Sequence, residues 1–206
     1  APPRPPAGRD LCSRRACTSS DRACPSPYVT ARWALPLSYR ICAMALEDAA
    51  GVRVREARPS DAGEIHGLMC ELARVVGDSL PPKEAVARRL RELLEEPRAG
   101  VLVAESGGEV VGAVSYWVKP DLAHGDTVVE VPTLVVREGL RRAGVGRRLM
   151  ESVRRLGMER GAALVELVTT PANVAAREFY RALGFVETDH IVLEFVGQLE
   201  DPPPGA

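Results

Sequence analysis

Hydrophobic and polar positions change period several times along the chain, and the changes mark the elements. Val52 and Val54 alternate with Arg53 and Arg55, which predicts a short strand with one buried face. Pro59-Ser60-Asp61 supplies a helix start, with Ser60 as N-cap and Asp61 and Glu64 favourable near the positive end of the dipole. Ile65, Leu68, Met69, Leu72, Val75 and Val76 follow at helical spacing. A second helix opens near Pro81-Pro82 and turns Val86, Leu90, Leu93 and Leu94 inward. Strands over 101–105 and 110–118 flank Ser106-Gly107-Gly108-Glu109, a hairpin signal, and a third hairpin partner runs over 127–136. A helix over 144–160 buries Val145, Leu149, Val153 and Leu156. A strand over 163–169 follows, then a helix over 173–183 stopped by Gly184. Two last strands, over 185–188 and 191–195, enclose Asp189-His190.

The order is β-α-α-β-β-β-α-β-α-β-β. Hairpins first and a strand-helix-strand crossover afterwards predict an α/β (α+β) fold: a mixed, mostly antiparallel central sheet with one parallel pair, flanked by helices. Regular patterning occupies about residues 52–196, one domain. Residues 1–44 are rich in Pro and Arg and show neither period, so they cannot bury enough apolar surface to offset their ordering entropy. An organellar transit peptide, a disordered arm, and upstream sequence joined to a frame that starts at Met44 all fit. The last is favoured, because patterning begins just after Met44. Residues 200–206 read as a disordered tail.

The 206-residue length suits a single domain, and 46% hydrophobic with 27% charged residues is ordinary for a soluble globular protein. A formal net charge of -1 argues against nucleic acid as an obligatory partner. No apolar run approaches the roughly 18 residues of a membrane span. Of Cys12, Cys17, Cys24, Cys42 and Cys70, only Cys70 falls in the patterned region and none forms a Cys-x-x-Cys pair. No metal or disulfide framework is expected, and the cytoplasm is the expected compartment.

The most informative stretch is Glu130-Val-Pro-Thr-Leu-Val-Val-Arg-Glu-Gly-Leu-Arg-Arg-Ala-Gly-Val-Gly-Arg-Arg-Leu149. A strand leads into a turn carrying Gly144 and Gly146, and a helix starts there. Backbone N–H groups at a helix start are unpaired and sit at the positive dipole end, so they bind phosphate. Glycines keep side chains off those amides, and Arg141, Arg142 and Arg147 add charge. A dinucleotide-binding turn wants glycine where Leu149 stands, and a nucleoside-triphosphate loop wants Gly-Lys-Ser/Thr.

Arg141-x-x-Gly144-x-Gly146 resembles motif A of the GNAT superfamily of N-acetyltransferases, (Gln/Arg)-x-x-Gly-x-(Gly/Ala). Asn173-Val-Ala-Ala-Arg-Glu-Phe-Tyr180, followed by Gly184-Phe185, resembles that family's second signature. Two motifs in the right order, each with the right elements around it, make the resemblance specific over about residues 52–196. It implies acetyl-CoA as cosubstrate and no metal. The pyrophosphate would lie on the amides of Arg142, Ala143, Gly144, Val145, Gly146 and Arg147, with Arg141 beside it. The pantetheine arm would pair with the backbone of Leu134, Val135 and Val136, where this strand splays from the next. Pro132, lacking an N–H, is consistent with a bulge or an unpaired stretch there. Asn173 would hydrogen-bond the arm, and Tyr180 would face the sulfur.

Amide formation from a thioester needs an unprotonated amine and a proton for the leaving thiolate. Tyr180 is the natural acid. Glu130, on the strand that carries Leu134, is the candidate base, with Glu166 a weaker one. Burial among Val128, Val129 and Val131 would raise its pKa if it faces the cleft. His66, His124 and His190 read as surface or loop residues and Cys70 as structural. The acceptor is an amine, reached through the first two helices and the loop 119–126, where Asp78, Asp121 and Asp126 would attract a cation and Tyr116 and Trp117 pack on its body. Neither nucleic acid nor membrane is expected as a partner; a homodimer stays open. The alternative is a non-catalytic acyl-CoA-binding regulatory module of the same fold; a transferase using a longer acyl donor is a further one.

Overall fold

The computed structural model describes residues 51–123 and 125–192. Among these residues five strands form one sheet in chain order: β1 Val52–Glu56, β2 Ala99–Ser106, β3 Glu109–Pro120, β4 Thr127–Val136 and β5 Leu164–Glu166. Neighbours are antiparallel up to β4, and β5 runs parallel to β4. Helices α1 Ala62–Val76 and α2 Lys83–Glu95 pack on one face. Helices α3 Val145–Glu159 and α4 Val174–Ala182 pack on the other. This is the mixed, helix-flanked sheet that the pattern predicts.

Side-chain alternation builds the two cores. Val103, Ala113 and Val135 meet Ile65, Leu68 and Leu90 on the α1–α2 face. Val114, Val129 and Val131 meet α3 on the other, where Leu149, Met150 and Val153 are fully buried. Burial of such side chains contributes about 1.5–3 kcal/mol each, so α3 is the helix the sheet holds hardest.

An ionic corner joins β1, β2 and the turn before α1. Arg55 donates to both oxygens of buried Asp61, at 2.7 and 3.1 Å, and to Glu105 at 2.7 Å. Asp61 also accepts the Arg58 N–H at 2.7 Å. These bonds make Pro59–Asp61 a 3-10 turn with Asp61, not Ser60 as predicted, at the N-cap position of α1.

Two further departures concern the sheet. β5 pairs with β4 only from Val128↔Leu164 to Glu130↔Glu166, so the strand expected over 163–169 is cut to three residues. The cause is a bulge: between Ser115↔Thr133 and Trp117↔Glu130, Val131 and Pro132 of β4 face Tyr116 alone. The strand expected over 185–188 does not form. Phe185 spends its N–H on Tyr180 O at 3.0 Å, and Glu187 is held by Arg177 and Arg181, so the segment folds back along α4. The expected strand over 191–195 runs beyond the described residues, as do residues 1–44 and 200–206. Among the described residues no helix is long and apolar enough to cross a membrane.

Candidate active site

The bulge opens the sheet. Arg137 N–H donates to Val111 O at 2.9 Å, which sets the phase of the β3–β4 ladder. Thr133 and Val135 turn their backbone groups to β3, and Leu134 and Val136 turn theirs the other way. On that side β5 has already ended, so no strand neighbours them among the described residues. Of the three residues expected to meet the pantetheine arm, Leu134 and Val136 offer groups to the gap. Val135 is 4% exposed and belongs to the α1–α2 core.

The edge runs directly into the loop before α3. Arg141 Nε donates to Val136 O at 3.2 Å and pins the loop to the strand end. Arg142, with φ 65°, is the one non-glycine in the left-handed region among the described residues, and Gly144 follows at φ 84°. The loop from Arg141 to Gly144 is exposed. The first α3 amide with a helical acceptor is Arg148 N–H, on Gly144 O at 3.1 Å. The N–H groups of Val145, Gly146 and Arg147 therefore point out of the helix start. Val145 buries its side chain in the core and contributes only its amide. Gly146 has a packing role that the sequence does not announce: a β-carbon there would lie 3.2 Å from Phe179 Cζ and 3.6 Å from Val136 Cγ2.

α4 carries the second signature. Asn173 caps it, its Oδ1 accepting Ala176 N–H at 3.2 Å, which leaves the Nδ2 amide as a donor. The helix ends on Gly184 with φ 88°; Gly184 N–H donates to Arg181 O and Phe185 N–H to Tyr180 O, both at 3.0 Å. This is a Schellman cap, and its hydrophobic contact is the edge-to-face pair Tyr180–Phe185 with centroids 5.6 Å apart. Phe179 meets Tyr180 at 5.2 Å. The Tyr-Arg-Ala-Leu-Gly-Phe run thus fixes the Tyr180 ring, and burial pushes its phenol up to about 12.

Glu130 lies on the opposite face of the sheet. Val129 and Val131 point to α3, so Glu130 points to the α1–α2 side, directly opposite Trp117 of β3 and beside Glu166 of β5. Lys119 Nζ lies 2.7 Å from Glu130 and 3.6 Å from Glu166, so two carboxylates share one ammonium. Lys119 belongs to β3 and not to the loop expected over 119–126, and its place two residues beyond Trp117 puts it on the same strand face. The next rung on this face, Ser115↔Thr133, is part of a cavity of about 410 Å³ between α1, α2 and the sheet. Ile65, Met69, Leu72, Val86 and Leu90 form much of its wall, and Asp78 and Ser79 also line it.

Tyr116 points into the α3 core, where burial raises its pKa, so it does not join Trp117. His66 Nε2 lies 3.0 Å from Pro81 O and 3.5 Å from Cys70 Sγ. A carbonyl only accepts, so Nε2 carries the proton and cannot take one from the thiol. Asp121 Oδ1 accepts Ala123 N–H at 2.9 Å within its own loop. Asp126 and His190 are exposed, and His124 lies outside the described residues.

Comparison with known proteins gives this arrangement a family. A curated aminoglycoside N(6')-acetyltransferase type 1 of Salmonella typhimurium is 25% identical over 114 residues, 54% of this chain and 79% of that one. An uncharacterized N-acetyltransferase of Archaeoglobus fulgidus is 30% identical over 133 residues, 63% of this chain and 89% of that one. Among solved structures, the aminoglycoside N-acetyltransferase AAC(6')-Iy in complex with CoA superposes with a TM-score of 0.64 at 21% identity, covering 73% of this chain and 98% of that one. The profile of the acetyltransferase (GNAT) family matches residues 68–185, more than half of the chain and both signatures, so the chain belongs to the GNAT family and is an acyltransferase.

Proposed function

We propose that the chain moves the acetyl group of acetyl-CoA to a primary amine, with Tyr180 as proton donor to the departing thiolate and Glu130 as base, directly or through water. One observation carries this reading: the open backbone edge at Leu134 and Val136 lies beside the amide-rich start of α3, where a β-carbon on Gly146 would come 3.6 Å from Val136 Cγ2. Pantetheine and pyrophosphate are contiguous in CoA, and here the groups that fit them are contiguous too. The solved neighbour with CoA bound and the relatives named as N-acetyltransferases support the same ligand and acceptor class.

The residues divide the work. The amides of Val145, Gly146 and Arg147, in a loop whose Arg142 and Gly144 bend it open, receive the pyrophosphate, with Arg141 and Arg142 adding charge. Leu134 and Val136 hold the amide arm like a strand partner, and Asn173 Nδ2 donates to it. Bound acetyl-CoA supplies an acetyl thioester, already activated toward an amine. Tyr180 acts from the α3–α4 face, and a phenol held near 12 stays protonated at neutral pH, so it gives a proton and does not take one. Glu130 acts from the α1–α2 face, its carboxylate steadied by Lys119. Acid and base thus approach the gap in the sheet from opposite sides.

Titration calorimetry of the full chain with CoA, followed by thiol release from acetyl-CoA across a panel of amines and peptide N-termini, tests the proposal. Binding and amine-dependent thiol release are expected. A chain that binds no CoA overturns it.

A further inference from the structure

The geometry points to an acceptor with one cationic head and an apolar body, not to a polycationic sugar; this rests on the acetyltransferase reading above. Two observations on the α1–α2 face meet. The first is electrostatic: among the described residues Glu130 and Glu166 share Lys119 alone, so this cluster holds one more carboxylate than ammonium, and Trp117 stands opposite Glu130. A single ammonium matches that surplus and finds an aromatic face beside it. The second is the cavity, which begins at the next rung of the same face, Ser115↔Thr133, and continues between the helices over aliphatic side chains.

Its size, about 410 Å³, lies within the range of small-ligand pockets. Among the described residues of its lining Asp78 is the one carboxylate and Arg89 adds a positive charge, so further ammonium groups would lose their hydration against Ile65, Met69, Leu72 and Leu90 with at most Asp78 to replace it. An acyl chain would also suit the aliphatic wall. It would leave the negative cluster on the neighbouring rung without a role, and an amine uses both features. The acceptor therefore sets its amine at Glu130 and Trp117 and its alkyl or aryl body past Ser115 and Thr133.

The test uses the full chain, acetyl-CoA and straight-chain amines from ethylamine to hexylamine, with kanamycin as the polycationic comparison and hexanoyl-CoA as the long-chain donor. CoA affinity is measured on the same samples. The expected result is kcat/KM rising about three- to fourfold per methylene until the cavity is filled, with hexylamine well ahead of kanamycin. Ala85, on the cavity wall, gives a second reading: Ala85→Leu should lower kcat/KM for hexylamine about tenfold and leave CoA affinity unchanged. A flat series, fast kanamycin turnover, unchanged hexylamine kinetics in a folded A85L, or a length dependence that belongs to the donor instead overturns this inference while the acetyltransferase reading stands. Absence of CoA binding overturns that reading and this one with it.

Discussion

Gly146 and Phe179 meet where a side chain would have to stand: a β-carbon on the glycine would lie 3.2 Å from the ring's Cζ. The first turn of α3 and the middle of α4 are in contact there, close to the exposed amides and to Tyr180. Gly146→Ala gains some helix propensity, at most about 1 kcal/mol, but overpacking costs about 1–3 kcal/mol. A net loss of about 1 kcal/mol is expected in urea denaturation. Phe179→Leu in the same chain should recover part of it, and costs that simply add would show that the two residues do not touch.

Arg142 holds φ at 65°, a conformation costing a non-glycine residue roughly 1–2 kcal/mol. Arg142→Gly relieves that strain but frees the unfolded chain by about 0.4–1 kcal/mol. The variant should be more stable by up to about 1 kcal/mol and should bind CoA more weakly, having lost a guanidinium at the loop. Stability and affinity moving in opposite directions marks a strained residue kept for binding. If both fall together, the left-handed turn is held by something other than the arginine backbone.

The Gly146–Phe179 outcome turns on a distance that no local pattern carries, and this divides what the sequence makes legible from what it does not. Helical spacing over Ile65 to Val76 and alternation along β3 and β4 follow from period alone. The two signatures mark the loop before α3 and the start of α4 because caps and left-handed turns are local chemistry. Gly146 reads in sequence as clearance for phosphate, and its contact with Phe179 comes from a helix about thirty residues away. β5 keeps an apolar pattern through Leu167 and Val168, yet a strand needs a partner, and the bulge at Val131–Pro132 removes it. Tyr116 and Trp117 cannot serve one ligand together, since alternation puts adjacent strand residues on opposite faces.

Asp61 links the fold to pH. The guanidinium of Arg55 holds its carboxyl below the ordinary value of 3.8, and burial opposes without winning. A depressed folded-state pKa gives stability that is complete above about pH 4 and is lost as pH falls through the folded value. Asp61→Asn should cost about 3 kcal/mol at neutral pH, because Arg55 is left half-paired in a buried corner. Urea midpoints measured from pH 7 to pH 3 should therefore fall more steeply for the parent than for the variant. Parallel curves would remove Asp61 from the acid-sensitive set.

Tyr180 is where fold and chemistry are asked to coincide. Its ring is fixed by Phe179 and Phe185, so Tyr180→Phe keeps the packing and removes only the hydroxyl. If that hydroxyl protonates the departing thiolate, turnover should drop about 10- to 1000-fold, the lower part of the usual range for general acids because water substitutes in part. CoA affinity should not change. The pH profile adds an independent check. With the phenol held near 12, the parent enzyme should gain rate as the amine loses its proton and show no alkaline decline up to about pH 10. A decline centred near 10 would mean that a group of ordinary acidity is the donor. Turnover in Tyr180→Phe equal to the parent's would move the acid role to solvent or another residue, while the binding edge at Leu134 and Val136 would keep its assignment. A binding module of the same fold has no turnover to lose, so the same variant, assayed beside its parent, separates that rival from an enzyme.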